Sequence, residues 1–163
     1  MTAQSTVTEK LTIEEFLRLL ARATDIPENR FHPFVWILGE PEIGADVYIG
    51  GFSEVNARGA RIIIGDNCDI ASFVSINCAD THMRCIELSE TIARGDIVIE
   101  DHVFIGSHSM VKGGAHIGHH SVVAAGTIVE PGAIPPYSLI AGNPMVVKAG
   151  YYRGRFNADA LRP

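Results

Sequence analysis

The chain has 163 residues, and 47% of them are hydrophobic, which is enough for one domain with a sizeable apolar core. Its 13 Lys and Arg residues are outnumbered by 19 Asp and Glu residues, so the chain lacks the basic excess that nucleic-acid binding requires, and we expect no nucleic-acid partner. The first ten residues are polar, and no apolar run approaches the length of a membrane span. These features predict a cytoplasmic protein without membrane insertion.

Residues 1–36 are predicted to form a helix and a lead-in segment. Thr12 and Glu15 have the spacing of a capping box. An apolar stripe at helical spacing follows, made of Ile13, Phe16, Leu17 and Leu20.

From residue 37 to residue 134 the sequence repeats with a period of six. One column of the repeat is aliphatic: Ile43, Ile49, Val55, Ile64, Ile70, Ile76, Ile99, Ile105, Val111, Ile117, Val123 and Val129. A second column, four residues later, is small or β-branched: Val47, Ser53, Gly59, Cys68, Val74, Val103, Ser109, Ala115, Ser121, Thr127 and Ala133. Because side chains in a strand alternate faces and six is even, we expect both columns to point inward. The pattern predicts a parallel β solenoid of about four coils, with a corner in each hexapeptide.

The period is lost between residues 82 and 96. His82 stands where the period requires an aliphatic residue, and Asp80 interrupts the column of small residues. A loop that leaves a solenoid often carries a binding site, because the coils hold its base rigidly. A tolerated surface insertion, with an exposed histidine at its base, is the alternative interpretation.

The repeats, the histidine at the base of the loop and the closing segment IPPYSLIAGNPMVVK together resemble the hexapeptide-repeat acyltransferases. The resemblance is greatest to the sugar O-acetyltransferases of the galactoside and maltose type, and it covers roughly residues 40–149. It implies a mainly β fold, a left-handed parallel β-helix with a short N-terminal helix and a protruding loop. It also implies acetyl-CoA as co-substrate and a homotrimer with shared active sites, in a setting such as surface-polysaccharide synthesis.

In the family that this sequence resembles, the histidine of a T-H segment is the catalytic base, and this role falls on His82 in "DTHM". A neutral imidazole can take the proton of a sugar hydroxyl, which then attacks the thioester directly. The three cysteines, Cys68, Cys78 and Cys85, are therefore not needed and are expected to be plain thiols. Asp80 would face the same side as His82 on an extended chain and fix the imidazole tautomer. Alternatively, Asp80 binds loop backbone.

The resemblance also assigns the remaining candidate residues. Acceptor contacts are expected from Arg84 in the loop and from Phe104, which replaces a usual Trp. Coenzyme contacts are expected from Ser107 and Ala125 at the pantetheine arm and from Gly142, Asn143 and Pro144 at the nucleotide end. The family usually has Lys or Arg at the place of Val146, so Lys148 or Arg153 is expected to meet the phosphates. We expect one domain over residues 1–163, with residues 37–134 as the β-helix and residues 135–163 as the coenzyme-side loop and tail.

Three other functions remain open at this stage. The same base could acetylate the amine of an amino sugar or nucleotide amino sugar, or the solenoid could be a scaffold without catalysis. The γ-class carbonic anhydrases share the solenoid and bind zinc through histidines five residues apart. No two histidines have that spacing among His102, His108, His116, His119 and His120, so no metal is expected. His102 and His120 are 18 residues apart and should stack on adjacent coils.

Overall fold

The computed structural model describes residues 10–24, 26–31 and 34–155. Helix α1 (Ile13–Ala23) begins with the predicted capping box: Glu15 N donates to Thr12 Oγ1 at 3.2 Å, and Thr12 N donates to Glu15 Oε2 at 2.8 Å. The helix buries none of its residues, and Phe16 makes an edge contact with the ring of Phe34. No helix in the described ranges is long and apolar enough to cross a membrane.

The strands that follow form five stacked coils. The first coil contains β1 (Trp36–Leu38), β2 (Glu42–Ile43) and β3 (Tyr48–Ile49), and the second contains β4 (Glu54–Asn56), β5 (Ile62–Ile64) and β6 (Asp69–Ile70). The third begins with β7 (Ser75–Asn77), leaves the solenoid through β8 (Ala79–Asp80), α2 (His82–Cys85) and β9 (Ala93–Arg94), and resumes with β10 (Ile97–Ile99) and β11 (Phe104–Ile105). The fourth contains β12 (Met110–Lys112), β13 (Ala115–Ile117) and β14 (Val122–Val123), and the fifth contains β15 (Ile128–Val129), β16 (Gly132–Ile134) and β17 (Leu139–Ala141). Strand β18 (Val146–Lys148) and a 3-10 turn (Arg153–Arg155) complete the described chain.

Each coil contributes one strand to each of three parallel sheets. The first sheet has the order β1-β4-β7-β12-β15, the second β2-β5-β10-β13-β16, and the third β3-β6-β11-β14-β17. Strand β18 joins the third sheet antiparallel to β17, and β8 pairs with β9 as an antiparallel ribbon at the base of the loop. The predicted fold class, a parallel β solenoid with an N-terminal helix and a protruding loop, is confirmed.

The aliphatic column forms the core, as predicted. All of its members are buried except Ile43, which is partly buried, and each is in register with its counterpart in the neighbouring coil, as Ile49 is with Ile70 and Ile70 with Ile105. The column is longer than predicted, because Ile37 belongs to it at one end and Ile134 and Ile140 at the other. The estimate of about four coils was therefore wrong by one.

Two members of the small-residue column were assigned wrongly, since Gly59 and Ala133 are exposed. After Val55 the chain turns inward at Ala57 and then carries extra residues before Ile62 resumes the core. After Val129 the next aliphatic position comes five residues later, at Ile134, which pairs with Ile117. Each phase slip moves the inward position away from where a strict period of six puts it.

Buried hydroxyl groups fasten the corners to one another. Ser109 Oγ donates to Ala124 O at 3.1 Å and accepts from Thr127 N at 3.3 Å, and Ser53 Oγ bonds Ala71 O and Val74 N in the same way two coils away. Among the described residues no buried side-chain nitrogen or oxygen lacks a partner. The polar members of the inward column thus satisfy backbone groups that a tight corner leaves unpaired.

We predict that Ile70→Asp prevents folding, whereas Asp69→Asn on the same strand is nearly silent. Ile70 is fully buried in the aliphatic column and Asp69 is exposed. An unpaired carboxylate in this core costs at least about 3 kcal/mol, out of a total stability of about 5 to 15 kcal/mol for a typical domain. Circular dichroism and thermal melting of both variants test the register. An Ile70→Asp protein with an unchanged melting temperature would contradict it.

Candidate active site

The loop places Asp80 and His82 in direct contact. Strand β8 ends at Asp80 and helix α2 begins at His82, so the chain turns sharply between them. Asp80 Oδ1 accepts a hydrogen bond from His82 N at 3.0 Å and lies 2.6 Å from His82 Nδ1. When Nδ1 carries the proton, it donates to the carboxylate, and Nε2 keeps a free lone pair. The sequence suggested that an extended chain would place the two side chains on the same side. The contact arises instead from this turn.

The Asp80 carboxyl group is held in its ionised form. Hydrogen bonds from the backbone N–H and the imidazole of His82 lower its pKa, and the charge of Lys112 lowers it further. Both side chains are well exposed, so the pair is accessible to a ligand.

A cavity of about 540 Å³ lies beside the pair. Its walls are the ends of β8 and β9, the outward side chains Met110 and Lys112 of β12, and the corner at Gly113 and Gly114. A Cβ atom at Gly113 would lie 2.5 Å from Cys78 O, and one at Gly95 would lie 2.6 Å from Gly114 N. The base of the loop is therefore packed against the corner of the next coil with no room for side chains.

Lys112 and its partner Glu130 were not predicted as site residues. Lys112 Nζ lies 2.7 Å from Glu130 Oε2, and Lys112 lines the cavity that contains His82. The two residues are 18 positions apart, which is the separation that correctly predicted the stacking of His102 and His120. The same 18-residue separation, applied to the outward positions of the strands, would have predicted the contact between Lys112 and Glu130.

The two residues predicted to contact the acceptor lie in other cavities of the chain. Arg84 lines a cavity of about 490 Å³ within the loop, together with residues 87–90. Phe104 projects from the outer face of the third sheet into a cavity of about 490 Å³, lined also by His102, His120 and Arg155. One chain therefore does not bring Arg84 or Phe104 into the cavity that holds His82.

The residues predicted to contact the coenzyme share one edge of the solenoid. Ser107, Ala125 and Gly142 lie at successive corners between the third and first sheets, where Gly126 N donates to Ser107 O at 2.9 Å and Ile128 N donates to Gly142 O at 3.3 Å. Asn143 and Pro144 follow in the turn before β18. Strand β12 leads from this edge to Lys112, and its three residues span about 10 Å.

Lys148 and Arg153 lie at some distance from that edge. Strand β18 runs back along β17, so Val146 pairs with Ala141 whereas Lys148 pairs with Leu139 at the opposite end of the strand. Lys148 Nζ lies 5.8 Å from the centre of the Tyr151 ring, and the Arg153 guanidinium lies 5.7 Å from that of Tyr137. The position that usually carries a basic residue in the family is therefore the one beside the Gly142 corner.

Ring side chains stack along two corners of the solenoid. Phe34, Phe52, Phe73 and His108 follow one corner with ring centres 5.2, 5.2 and 4.9 Å apart. His102 and His120 stack on the other at 4.6 Å, as predicted, and His119 Nδ1 lies 2.8 Å from His120 Nδ1. The described residues contain no group of three or more His, Cys, Asp or Glu side chains that could hold a metal ion.

The three cysteines are buried or exposed thiols, and Cys78 lines the cavity that holds His82. Cys68 and Cys78 are buried, Cys85 is exposed, and all three are free thiols. Burial raises the pKa of the Cys68 thiol, which disfavours the reactive thiolate.

Comparison with known proteins agrees with the architecture. Residues 96–131 match the family described as bacterial transferase hexapeptide (six repeats), which confirms the predicted resemblance to hexapeptide-repeat transferases. Over 111 residues the chain is 29% identical to the 2,3,4,5-tetrahydropyridine-2,6-dicarboxylate N-succinyltransferase of Xylella fastidiosa, a match that covers 53% of this chain and 40% of that enzyme.

Two solved structures are similar to this chain over most of its length. The polySia-specific acetyltransferase NeuO is 28% identical with a TM-score of 0.59, and the match covers 68% of this chain and 48% of NeuO. Galactoside acetyltransferase in complex with coenzyme A is 26% identical with a TM-score of 0.54, and the match covers 76% of this chain and 68% of that one. The chain thus spans about half of NeuO and less than half of the succinyltransferase.

We predict that stability falls as the pH decreases below about 6.5, the ordinary pKa of histidine, and that His120→Asn weakens this decline. Burial and the imidazoles of His102 and His119 lower the pKa of His120. The unfolded chain then binds a proton more readily than the folded chain, so acidification favours unfolding until the folded-state pKa is passed. Asparagine tolerates the positive φ of 57° at this position. Melting temperatures at neutral and mildly acidic pH provide the test, and an equal loss in both proteins would contradict the prediction.

Proposed function

We propose that the chain is an acyltransferase that moves an acetyl group from acetyl-CoA to a hydroxyl of a sugar or nucleotide sugar. The observation that carries the proposal is the contact between His82 Nδ1 and Asp80 Oδ1 at the mouth of a cavity at the base of the loop. The similarity to NeuO and to galactoside acetyltransferase supports an acetyl group and a sugar acceptor.

In this proposal His82 is the general base. Nε2 takes the proton of the acceptor hydroxyl while the hydroxyl oxygen attacks the thioester carbonyl carbon. The resulting tetrahedral intermediate collapses by breaking the carbon–sulfur bond, and the imidazolium returns its proton to the leaving thiolate. The acetyl group passes directly between the two substrates, so no cysteine intermediate is formed.

Asp80 orients the base and stabilises the imidazolium in the same scheme. Its ionised carboxylate accepts a hydrogen bond from Nδ1–H and thereby aims Nε2 at the substrate. The positive charge that develops on the ring lies next to a negative charge, which lowers the barrier.

The coenzyme is proposed to run along the edge formed by Ser107, Ala125 and Gly142, with its nucleotide end near Asn143 and Pro144. This edge is stacked from successive corners, so it offers backbone groups at regular intervals. Lys148 remains the proposed contact for the phosphates, since it is the first basic residue after the Pro144 turn, although the phosphates would then have to extend along β18 to the end that pairs with Leu139. Coenzyme A in the galactoside acetyltransferase structure supports this class of co-substrate.

We further propose a homotrimer in which neighbouring chains share each active site. Within one chain Phe104 and His82 line different cavities. A neighbouring chain can bring its own Phe104 to the cavity that holds His82, which gives the acceptor an aromatic wall. Light scattering at micromolar concentration should give three times the chain mass, and a monomer under these conditions would remove the shared site from the proposal.

An amine acceptor is the nearest alternative, because the same base serves an amino sugar. The alternative of another class is a scaffold that binds no coenzyme. Calorimetric titration with coenzyme A separates the enzyme from the scaffold, and a screen of hydroxyl and amine acceptors, followed by release of free thiol, separates the two reactions.

We predict that His82→Ala lowers turnover by about 10² to 10⁴, the usual range for loss of a general base. Coenzyme affinity and oligomeric state should not change, because His82 is exposed and contributes nothing to the core.

His116→Ala is the matched control for this variant. His116 is also an exposed histidine bound to a carboxylate, with Nε2 2.7 Å from Glu100 Oε1, but it lies on the second sheet outside the cavity. Its removal should leave turnover near the native value. A His82→Ala enzyme that retains more than about a tenth of native turnover would rule out the assigned role.

A further inference from the structure

Three polar side chains follow one another on the outer face of the first sheet, next to the cavity that holds His82. Asn77 and Lys112 pair in register on β7 and β12, and both line the cavity. Glu130 lies one coil further along and binds Lys112 Nζ at 2.7 Å. We call Asn77, Lys112 and Glu130 the polar column.

The polar column has hydrogen-bonding capacity to spare. Lys112 and Glu130 are partly exposed, with 31% and 43% of their side chains accessible, and the bond between them uses one of the three ammonium protons. Asn77 Oδ1 accepts from Ala79 N at 2.9 Å, while the Asn77 amide NH₂ has no partner in the described part of the chain. An ion pair this exposed adds little to stability, and the aliphatic core does not depend on it.

The charges around Lys112 disfavour an acidic ligand. Asp80 and Glu130 are both close enough to interact with the Lys112 ammonium. The other cation in the wall, Arg94, donates to Arg58 O and packs against Gly59, one coil away. A carboxylate or phosphate on the remaining ammonium protons would face the negative charges of both Glu130 and Asp80. A hydroxyl pair can accept from Lys112 and donate to Glu130 without separating them.

We propose that Lys112 and Glu130 bind two adjacent hydroxyl groups of an uncharged acceptor sugar, with the Asn77 amide donating to a third polar group. The polar column would thereby select neutral sugars over sugar acids. This inference rests on the proposed function for its substrate class. It adds the residues that bind the acceptor and the charge that the acceptor carries.

The test compares Lys112→Met and Glu130→Gln with the native enzyme. Met keeps an unbranched stem without the charge, and Gln keeps the shape of Glu without the charge. Using methyl glycosides of neutral hexoses as acceptors, we expect each substitution to raise the acceptor KM about ten- to a hundredfold, as for loss of a hydrogen bond to a charged group. The coenzyme KM should not change.

Acceptors that lack a hydroxyl group show whether Lys112 and Glu130 bind the proposed pair of hydroxyl groups. For a glycoside that lacks the hydroxyl bound by the substituted residue, native and variant enzymes should have similar acceptor KM values. Glu14→Gln removes a comparable ion pair with Arg18 on α1, far along the chain from the cavity, and should leave all KM values unchanged. Melting curves of each variant check that the fold is intact.

Two outcomes of the kinetic test overturn the inference. One is a lower acceptor KM for a uronic acid than for the matched neutral hexose. The other is an acceptor KM in the Lys112→Met enzyme within about twofold of native, a change too small for a lost charged hydrogen bond.

Sugar binding without coenzyme separates this inference from the proposed reaction. Saturation-transfer NMR with the same methyl glycosides requires no turnover. If no acceptor is acetylated but the native protein binds a neutral glycoside that Lys112→Met does not bind, the proposed reaction fails and the polar column stands. Equal binding by both proteins, or no binding by the native protein, overturns the polar column.

Discussion

The stacked aliphatic column is the constraint on which the rest of the molecule depends. Parallel strands hold successive coils about 4.8 Å apart, so each buried Ile or Val rests on its counterpart in the next coil, as Ile64 rests between Ile43 and Ile99. The same spacing governs the surface, because outward residues between inward ones are stacked as well. The ring contacts of 5.2, 5.2 and 4.9 Å from Phe34 to His108 and the Lys112–Glu130 pair are consequences of this one repeat.

The proposed active site depends on the place where the chain leaves that repeat. Strands β7 and β10 remain part of their sheets, so the segment between them can depart without disturbing the core. Its base is fixed by the β8–β9 ribbon and by the tight contact of Gly95 and Gly113 with neighbouring backbone. A rigid base with an exposed Asp80–His82 pair combines precise placement with access for substrates, which a fully buried histidine would not have.

The features of the fold that could be predicted from the sequence are those that recur at a regular spacing along the chain. The inward columns, the N-terminal helix and the stacking of His102 on His120 all depend on spacing along the chain, and the sequence predicts them. Gly59 and Ala133 were misplaced because a slip of a few residues is invisible until pairing shows which residue faces inward. The contact between Asp80 and His82 depends on a turn without a period, so proximity in sequence suggested it but could not give its geometry. Arg84 and Phe104 could not be placed relative to His82, since that depends on how the loop folds and, in the proposed trimer, on a neighbouring chain.

The stacking of outward residues in columns also relates the proposed acceptor chemistry to the fold. A loop can change its side chains freely, but an outward position on a strand is tied to the residues above and below it, here Asn77 below Lys112 and Glu130 above. A lysine alone at the cavity would attract anions, whereas Lys112, bonded to Glu130 and within electrostatic range of Asp80, is part of a balanced set of donors and acceptors. In the proposed site the charge preference therefore depends on the two carboxylates near Lys112, Glu130 in its own column and Asp80 in the loop, and not on Lys112 alone. For this reason we propose a neutral polyhydroxylated acceptor for the cavity and not an acidic one.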